Sequence, residues 1–549
     1  MRDKREFDLI LREADGQPVQ EYTRLAGDFD FARYVLHSLR LVSEAADAPE
    51  AVAVIHVPQI IAGFPEELID TPIRRTALED YLTRKIADAI EQRDARFLKV
   101  ARPGPVILPR TSVIVAHEYV EARVMVRLPA REGRIDAAAA GDLFFEDIPA
   151  VVSASLIFCY LDEDELRRFV RAMEDADAIR RALSARDLAA FVSLDSGFEV
   201  AEDSLTEIDT PNSGPRRGLG IPTGVTLLIG DRYSGRADLV QALAAGVYNH
   251  VPGERAGGVI TSPDAVEIVA EPGRSIQRVN VSLFLRPGAD GSGLLATANA
   301  DAAESQRAAV AEAIEAGAQT LLVDEANSAP DFLSADSRLA RLPLARPRRF
   351  AALSERIRRI ADEGRITWIV GADACAAQFI PAADRVLLIE NRRIRDVTKE
   401  AKALNVEAPP AESDAPPIGG ERPRWVYANS IYPAYGRRDY RIEAPDAHHL
   451  LFGRTSIDLR GVTQLADAHQ TLTIGLLIYY AKLRFLDEDR TVAQLLDDLD
   501  ALLSEEGLDG VTRDVCGDLA RPRRFEIAAA LNRLETLRVA IREEPRPGA

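Results

Sequence analysis

The sequence predicts an α/β protein with a central, mostly parallel sheet domain, an α+β N-terminal domain and a mostly helical C-terminal domain. Three observations predict this architecture. Short, continuously apolar runs alternate with helical patterns in the middle of the chain, as expected for strands buried on both faces of a parallel sheet. The N-terminal part mixes helical periodicity with strand alternation, and helical periodicity dominates the C-terminal part. The 549 residues suffice for roughly two to four domains.

The composition is that of a soluble globular protein, with 47% hydrophobic and 28% charged residues. Three widely separated cysteines, Cys159, Cys375 and Cys516, favour reduced thiols and a cytoplasmic location. The sequence starts without the apolar run of a signal peptide, and no later segment reaches the ~18 apolar residues of a membrane span. We therefore expect no membrane association.

The net charge of −19 predicts a surface that, as a whole, repels nucleic acid. The arginines are nevertheless clustered, which leaves a local basic groove as an alternative. The clusters lie at 216–217, 346–350, 356–359 and 521–525.

Two stretches have the composition of domain boundaries. TEIDTPNSGPRRGLG (206–220) is rich in turn residues, and APPAESDAPPIGGERPR (408–424) contains five prolines. The predicted divisions are an N-terminal domain over 1–205, a nucleotide-binding domain over 206–395, a Pro-rich linker over 396–424 and a helical domain over 425–549.

The N-terminal region contains both kinds of element. ALEDYLTRKIADAI (77–90) has its apolar residues on one helical face. TSVIVAHEYVEARVMVRLPA (111–130) alternates Val120, Ala122, Val124, Val126 and Leu128 to one side, the pattern of a half-buried strand. Acidic, alanine-rich helices are expected to follow through about residue 195.

Four apolar strands are predicted in the middle region: VTLLIG (225–230), TLLVDE (320–325), ITWIVG (366–371) and RVLLIE (385–390). We expect them side by side in one sheet, with a helix beginning at about residue 236. In the tail, LIYYAKLRFL (477–486) and VAQLLDDLDALLSEE (492–506) are the strongest helical segments.

The first strand runs into the stretch LLIGDRYSGRADLV (227–240), which has the glycine spacing of the phosphate-binding loop G-x-x-x-x-G-K-[ST]. A glycine loop between a strand and a helix presents backbone N–H groups to an anion. Arg236 stands where the motif has lysine, and Ala237 where it has the metal-binding hydroxyl. The candidate nucleotide-binding residues are Gly230, Tyr233, Ser234, Gly235, Arg236, Ala237 and Asp238.

The second candidate element is the strand end at Asp324 and Glu325, 94 residues after Gly230. In phosphoryl-hydrolysing sites of this kind the aspartate holds Mg²⁺ and the glutamate polarises the attacking water. A short polar segment and a helix precede this strand, with Gln306 eighteen residues before Asp324. That is the layout of an ABC-type ATPase, in which the signature loop caps such a helix and reaches the nucleotide of a partner.

The chain resembles the family usually described as predicted ATPases of the ABC class, over nearly its whole length. The resemblance rests on long blocks, among them RTSVIVAHEYVEARVMVRLPARE, GLGIPTGVTLLIG, ALAAGVYNHVPG, EPGRSIQRVNVSLF, LLVDEANSAPDF and SIDLRGVTQLADAHQT. It implies a central ABC-type P-loop domain with family-specific N- and C-terminal domains, ATP with Mg²⁺ as ligand, and RNA as a partner.

The chain departs from the family pattern in four elements of this site. The loop has Gly235, Arg236, Ala237 and Asp238 where the family has G-K-S-T. A forked arginine does not replace lysine in a tight cradle. The Ser-Gly-rich signature segment is replaced by Asp301, Ala302, Ala303 and Glu304, with only Ser305 and Gln306 kept. After the DE pair, Ala326-Asn327 replaces the acidic-polar step of the family. The switch region after the third strand has the sequence ADACAAQF and lacks the expected Ser and Gly polarity.

From these departures we predict a degenerate, inactive ATPase that binds nucleotide weakly or not at all. Two alternatives remain: an active, divergent ATPase that uses Asp324 and Glu325, and an RNA-binding protein that uses its arginine clusters. If the chain still pairs with a second copy or with an active relative, Asp301 and Glu304 are expected to meet Arg232 or Arg236 of the other subunit.

Overall fold

The structure is a computed structural model that describes residues 2–43, 49–289, 293–334, 348–408, 423–436, 438–486 and 490–541. The chain divides into two compact units. Unit 1 comprises Met1–Asp177, His250–Pro252 and Glu506–Arg521, and unit 2 comprises the remainder.

Unit 1 contains a seven-stranded, mostly antiparallel sheet, a separate antiparallel pair of short strands, and helices that bury the apolar face of the larger sheet. Its strands are β1 (Arg2–Asp3), β2 (Phe29–Asp30), β3 (Val35–Ser43), β4 (Glu50–Pro58), β5 (Leu98–Lys99), β6 (Val106–Ile107), β7 (Val113–Val115), β8 (Tyr119–Arg127), β9 (Ala130–Arg131) and β10 (Arg134–Ile135). Its helices are α1 (Lys4–Glu13), α2 (Gln59–Ala62), α3 (Pro72–Arg93), α4 (Ala137–Asp142), α5 (Ile148–Ser155) and α6 (Glu163–Ala185), of which α6 continues into unit 2.

The predicted elements of this region are present. The helix predicted over 77–90 lies inside α3, which begins at Pro72 with Thr71 as its N-cap. The strand predicted over 111–130 forms β7 and β8, which pair with each other. Residues 120, 122, 124, 126 and 128 are buried, as the alternation predicts.

The helices predicted through about residue 195 end earlier. The helix α6 stops at Ala185, and Leu188–Ser193 is a strand. Residues 189–193 are buried there, and the strand pairs on both sides. Pairing with neighbours that are distant in sequence outweighs the helical propensity of its two alanines.

Unit 2 contains the remaining elements, except that the strand Asn249–His250 ends at a residue of unit 1. The strands are β11 (Leu188–Ser193), β12 (Glu199–Val200), β13 (Leu205–Thr210), β14 (Gly214–Pro222), β15 (Val225–Ile229), β16 (Asn249–His250), β17 (Val259–Thr261), β18 (Ala265–Glu267), β19 (Ile276–Asn280), β20 (Leu294–Thr297), β21 (Thr320–Asp324), β22 (Thr367–Ala372), β23 (Arg385–Glu390), β24 (Arg393–Asp396), β25 (Arg424–Val426), β26 (Ile442–Asp446), β27 (His449–Phe452), β28 (Thr455–Asp458) and β29 (Val539–Ile541). The helices are α7 (Arg236–Ala245), α8 (Ala302–Glu315), α9 (Pro330–Leu333), α10 (Leu353–Gly364), α11 (Ala376–Phe379), α12 (Thr398–Ala403), α13 (Ala468–Arg484), α14 (Val492–Glu505) and α15 (Arg524–Arg533).

A seven-stranded sheet, in the order β12-β24-β23-β15-β22-β21-β18, forms the centre of unit 2. The five strands from β23 to β18 are parallel, and the four strands predicted to lie side by side are adjacent, so that prediction is confirmed. Since parallel strands end at the same edge of a sheet, the segments after Ile229, Asp324 and Ala372 lie together, where ligands bind in α/β folds.

A second sheet, ordered β13-β14-β11-β17, is antiparallel. Its strand β11 precedes the predicted boundary at residue 206, and its partner β14 follows it. The tail contains the predicted helices as α13 and α14, and also an antiparallel sheet of β26, β27 and β28.

About half of the predicted Pro-rich linker over 396–424 lies outside the described residues, since 409–422 are not among them. Before that stretch, Thr398–Ala403 is helical, and after it Arg424 begins β25. Among the helices of the described ranges, none combines the length and the apolar character that a membrane crossing requires.

Candidate nucleotide-binding site

The glycine loop joins β15 to α7 and has the backbone that its glycines predict. Gly235 has φ 93°, a left-handed conformation that side chains disfavour, and it directly precedes the first residue of α7. A Cβ on Gly235 would also lie 2.9 Å from Cγ of Arg392. At Gly230 a Cβ would collide with Oγ of Ser234. The loop therefore requires glycine at both positions.

Ser234 fills the inside of the loop with its own hydroxyl. Its side chain is buried, and Oγ donates to the carbonyl of Asp231 at 2.8 Å and accepts the N–H of Arg236 at 3.2 Å. A second loop amide, the N–H of Tyr233, donates to the Asp231 carboxylate at 2.9 Å. Two N–H groups of the kind that hold a phosphate in such a loop are thus bonded within the loop itself.

Arg236 extends from the first turn of α7 to the end of β21, where its Nη1 lies 2.6 Å from Oδ1 of Asp324. The two side chains are only 5% and 3% exposed, so this is a buried ion pair. Gly371 on the neighbouring β22 makes room for it, since a Cβ there would lie 2.8 Å from the same Asp324 oxygen. The pair joins the two segments that the sequence predicts to share one site.

Burial sets the electrostatics of this pair. Loss of hydration raises the pKa of Asp324 above its usual value, while Arg236 and the N–H groups of Ala326 and Glu325 lower it and compensate only in part. The guanidinium therefore stabilises a carboxylate that burial disfavours.

Asp238 is exposed on the first turn of α7, where it forms an ion pair with Arg392. The N–H of Arg392 donates to the carbonyl of Ser234 at 2.7 Å, and its guanidinium lies 4.5 Å from the ring centroid of Phe198. A carboxylate on the first turn of α7 would repel a bound phosphate, but Arg392 compensates the charge of Asp238. The other altered position, Ala237, offers no hydroxyl to a metal.

Glu325 is half-buried beside this pair. Its Oε2 accepts the N–H of Asp373 at 2.6 Å and that of Cys375 at 3.4 Å, which ties it to the segment after β22. Burial, and secondarily the nearby Glu325 charge, raise the pKa of Cys375 to about 12. A thiol in that state is not reactive near neutral pH.

Asp301 and Glu304 cap the N-terminus of α8. The Asp301 carboxylate accepts the N–H of Glu304 at 2.7 Å, and the Glu304 carboxylate accepts the N–H of Asp301 at 3.2 Å. This reciprocal capping box satisfies two backbone donors that the helix leaves without partners. The segment predicted as a signature loop thus has a local structural role for both carboxylates.

Ser305 and Gln306, the residues kept from the family pattern, are fully buried. The hydroxyl of Ser305 accepts the N–H of Glu271 at 2.9 Å. The amide of Gln306 donates to Oγ of Ser328 at 2.9 Å and accepts the N–H of Ala329 at 2.7 Å. Gln306 therefore fixes the segment that follows Glu325.

Three parts of the chain match models of known protein families. Residues 162–421 match the family described as the ABC_ATPase P-loop domain, residues 4–159 match the N-terminal domain of ATPases of the ABC class, and residues 441–540 match the MRB1590 C-terminal domain. The chain belongs to the family of ABC-class ATPases. The resemblance stated from the sequence is confirmed.

Two ABC transporter components of known structure are similar to part of this chain. One is CbiO1 from Clostridium perfringens, part of the ABC transporter complex CbiONQ, with 14% identity, a TM-score of 0.25, and coverage of 40% of this chain and 92% of that one. Another is an ATP-binding cassette of an ABC transporter in its ADP conformation, with 14% identity, a TM-score of 0.22, and coverage of 34% and 86%. No curated protein matches the chain.

ATPases of the ABC class normally bind ATP and Mg²⁺, and the residues of this ABC-class chain do not fit that pair. The aspartate expected to hold the metal is engaged by Arg236, Ala237 lacks the ligating oxygen, and Ser234 occupies the loop. In the described ranges, no group of three or more His, Cys, Asp or Glu side chains could hold a metal ion.

The sequence pattern did not indicate two residues of this site, Arg392 and Gly371. Arg392 follows the strand β23 in a turn where Asn391 and Arg392 both have positive φ, and nothing in the local sequence connects it with the loop. Gly371 ends the predicted third strand, and only the register Asp324↔Gly371 reveals its function.

Proposed function

We propose that this ABC-class protein is a pseudo-ATPase with a structural or regulatory role, and that it binds nucleotide weakly or not at all. The observation that carries the proposal is the buried ion pair between Arg236 and Asp324. It occupies the position in which the family's lysine and aspartate serve phosphate and Mg²⁺.

The cost of opening this pair supports weak binding. For Asp324 to ligate Mg²⁺, its carboxylate must give up the ion pair with Arg236, whose side chain is only 5% exposed. Removing one partner of a buried ion pair costs about 3–5 kcal/mol. Each 1.4 kcal/mol corresponds to roughly tenfold in affinity, so the loss amounts to about 100-fold or more.

The experiment is to measure ATP binding and Mg²⁺-dependent phosphate release on the full chain. We expect weak or undetectable binding and turnover near background. The double variant Arg236→Lys with Ala237→Ser restores a lysine and a hydroxyl, and we expect it to bind Mg²⁺-ATP more tightly than the wild type does. If the wild type hydrolyses ATP briskly and Glu325→Gln abolishes that activity, the proposal is wrong.

Glu325 favours a second candidate, the active divergent ATPase. Its carboxylate is held by two backbone N–H groups beside Asp324, an orientation suited to polarising a water. Turnover would require Arg236 to move from Asp324 to a phosphate. The assay above separates the two candidates, because only the active enzyme loses turnover in Glu325→Gln.

A head-to-tail pairing with a second copy or an active relative is part of the proposal. Arg236 is engaged within its own chain, so the contact to Asp301 and Glu304 of a second subunit falls to the exposed Arg232. Tyr233 beside it is 87% exposed and supplies apolar area. Light scattering tests this: we expect a dimer that Arg232→Glu dissociates. A monomer at all concentrations contradicts the pairing.

RNA binding, the third function considered, gains no support from the arginine clusters. Most of these side chains form ion pairs with carboxylates of their own chain, which offset the positive charge that would attract phosphates. The pairs are Arg216–Asp195, Arg217–Glu202, Arg358–Asp384, Arg359–Glu363, Arg523–Glu526 and Arg524–Asp497. The cluster at 346–350 lies partly outside the described residues.

A further inference from the structure

A cavity of about 50 Å³ in unit 2 lies where β18, α8, the segment 461–464 and α15 meet. Its wall is mostly apolar, and it is separate from the glycine loop, which contributes no lining residue. The apolar lining includes Val269, Ala309, Ala313, Ala316, Val462 and Phe525.

Four glutamates, at 267, 271, 312 and 526, line this cavity as well. Three of them have an arginine partner: Glu271 with Arg533, Glu312 with Arg274, and Glu526 with Arg523. These pairs neutralise most of the negative charge around the cavity.

Glu267, at the end of β18, is the exception. It is 9% exposed, and its Oε2 accepts the hydroxyl of Thr463 at 2.5 Å. Within the described part of the chain, no lysine or arginine forms an ion pair with it. A carboxylate this deeply buried ordinarily has a cationic partner. The cavity therefore has an apolar wall and one carboxylate without a counter-charge.

We propose that this cavity binds a small organic cation, a primary ammonium group on a short apolar stem, with the ammonium on Glu267. The ammonium supplies three donors and the missing positive charge. The stem packs against the alanines of α8 and against Phe525. This chemistry matches the usual composition of ligand pockets, an apolar lining with a few placed polar groups.

The volume limits the size of the ligand. One water requires about 10–15 Å³ of such space, so 50 Å³ accommodates roughly three to five non-hydrogen atoms. An ammonium with three carbons fits this limit. A nucleotide or a peptide does not, which makes the cavity independent of ATP.

The affinity should depend on pH in a defined direction. Burial raises the pKa of Glu267, and the charge of Asp324 raises it further, whereas the Thr463 hydroxyl lowers it. The cation binds the ionised carboxylate, so affinity should rise as pH increases through this raised pKa. It should fall again near pH 10, where a primary amine loses its proton, by analogy with lysine.

The experiment is calorimetric titration of the full chain with propylammonium chloride, with 1-propanol as the uncharged probe of similar size. We expect saturable binding of propylammonium and at least tenfold weaker binding of propanol. Glu267→Gln retains the shape and an acceptor for Thr463, and we expect it to lose at least tenfold in affinity for the cation. Glu443→Gln, an exposed glutamate paired with Arg441, should bind like the wild type.

Ala313→Leu provides a second variant that does not depend on the charge. A larger side chain on α8 fills the cavity, so we expect it to abolish binding while the chain stays folded. Absence of saturable propylammonium binding to the wild type, or equal affinity in Glu267→Gln, overturns the proposal. Because no nucleotide is used, neither result bears on the proposed pseudo-ATPase function.

Discussion

At the scale of single residues, Arg236 and Asp324 are each buried and each depend on the other. Burying an isolated charge is costly, and a pair compensates only when its geometry is good. The contact of 2.6 Å and the two backbone N–H groups on Asp324 meet that condition on the carboxylate side, whereas Nε of Arg236 is buried without a hydrogen-bond partner. Neither residue can change alone without leaving an uncompensated charge.

We therefore predict that Arg236→Met destabilises unit 2 by about 3–5 kcal/mol, because Asp324 remains buried and unpaired. The double variant Arg236→Met with Asp324→Leu should recover most of that loss, since the uncompensated charge is gone. Urea unfolding of the two single variants and the double variant measures the coupling. Additive losses would contradict a direct interaction.

The loss in Arg236→Met should also depend on pH. The pKa of Asp324 is raised in the folded chain, so folding favours its protonated form, and that stability is lost as pH rises through the folded pKa. Without Arg236 the pKa rises further. The difference in unfolding free energy between wild type and variant should be smaller at pH 5 than at pH 8. Equal differences at the two pH values would contradict this.

At the scale of elements, the strand β14 shows why a glycine-rich sequence can form a central strand. A Cβ on Gly218 would collide with the carbonyl of Val192 and lie 2.7 Å from Cζ of Phe191 and 2.9 Å from Cα of Ser193. Gly220, two residues on, faces only flexible tips: a Cβ there would lie 3.0 Å from Leu188 Cδ2. The close approach to β11 depends on Gly218 in particular.

Gly218→Ala should destabilise the chain by about 1–3 kcal/mol, because the new methyl meets backbone atoms that cannot move aside. Gly220→Ala on the same strand is the matched control and should cost less, because Leu188 can rotate. Denaturation midpoints of the two variants measure this, and equal losses would contradict it.

The helix α8 allows a second prediction at this scale. Asp301→Ala removes the N-cap and should cost about 0.5–2 kcal/mol, while Asp301→Asn keeps a capping side chain and should remain close to the wild type. Thermal unfolding monitored by circular dichroism measures both. If both variants match the wild type, the capping box contributes nothing.

At the scale of the whole molecule, the C-terminal part of unit 2 completes the edge of the central sheet. The amide of Gln464 accepts the N–H of Glu267 at 3.2 Å and donates to the carbonyls of Ala244 and Ala265 at 2.9 and 3.2 Å. Arg523 donates to Pro263 and Ala265 at 2.9 Å each. Backbone groups at the edge strand β18 thus form hydrogen bonds with side chains that are distant in sequence. Glu267 and Gln464, for example, are 197 positions apart.

Gln464→Leu should therefore destabilise unit 2 by about 3 kcal/mol, because three backbone groups lose their partner in a buried position. Gln319→Leu, at an exposed position, is the control and should change stability by less than about 0.5 kcal/mol. Chemical unfolding measures both variants. A neutral Gln464→Leu would show that solvent reaches this edge.

The sequence alone determined the α/β class, the adjacency of the four apolar strands and the family. Each of these depends on local periodicity and on long motif blocks, which a linear pattern records. It also identified Arg236, Ala237 and Asp324 as unusual or central positions, because a motif is defined by residue types at fixed spacing.

Only the tertiary structure decided what those residues contact. That Arg236 pairs with Asp324 and that Arg392 compensates Asp238 depends on residues distant in sequence meeting at one sheet edge. The hydroxyl of Ser234 bonds to groups two and three residues away, and only the folded loop brings them within reach. The strand at 188–193 and the uncompensated Glu267 were decided in the same way. Burial and pairing across the sheet are set by neighbours distant in sequence, and no local pattern records them.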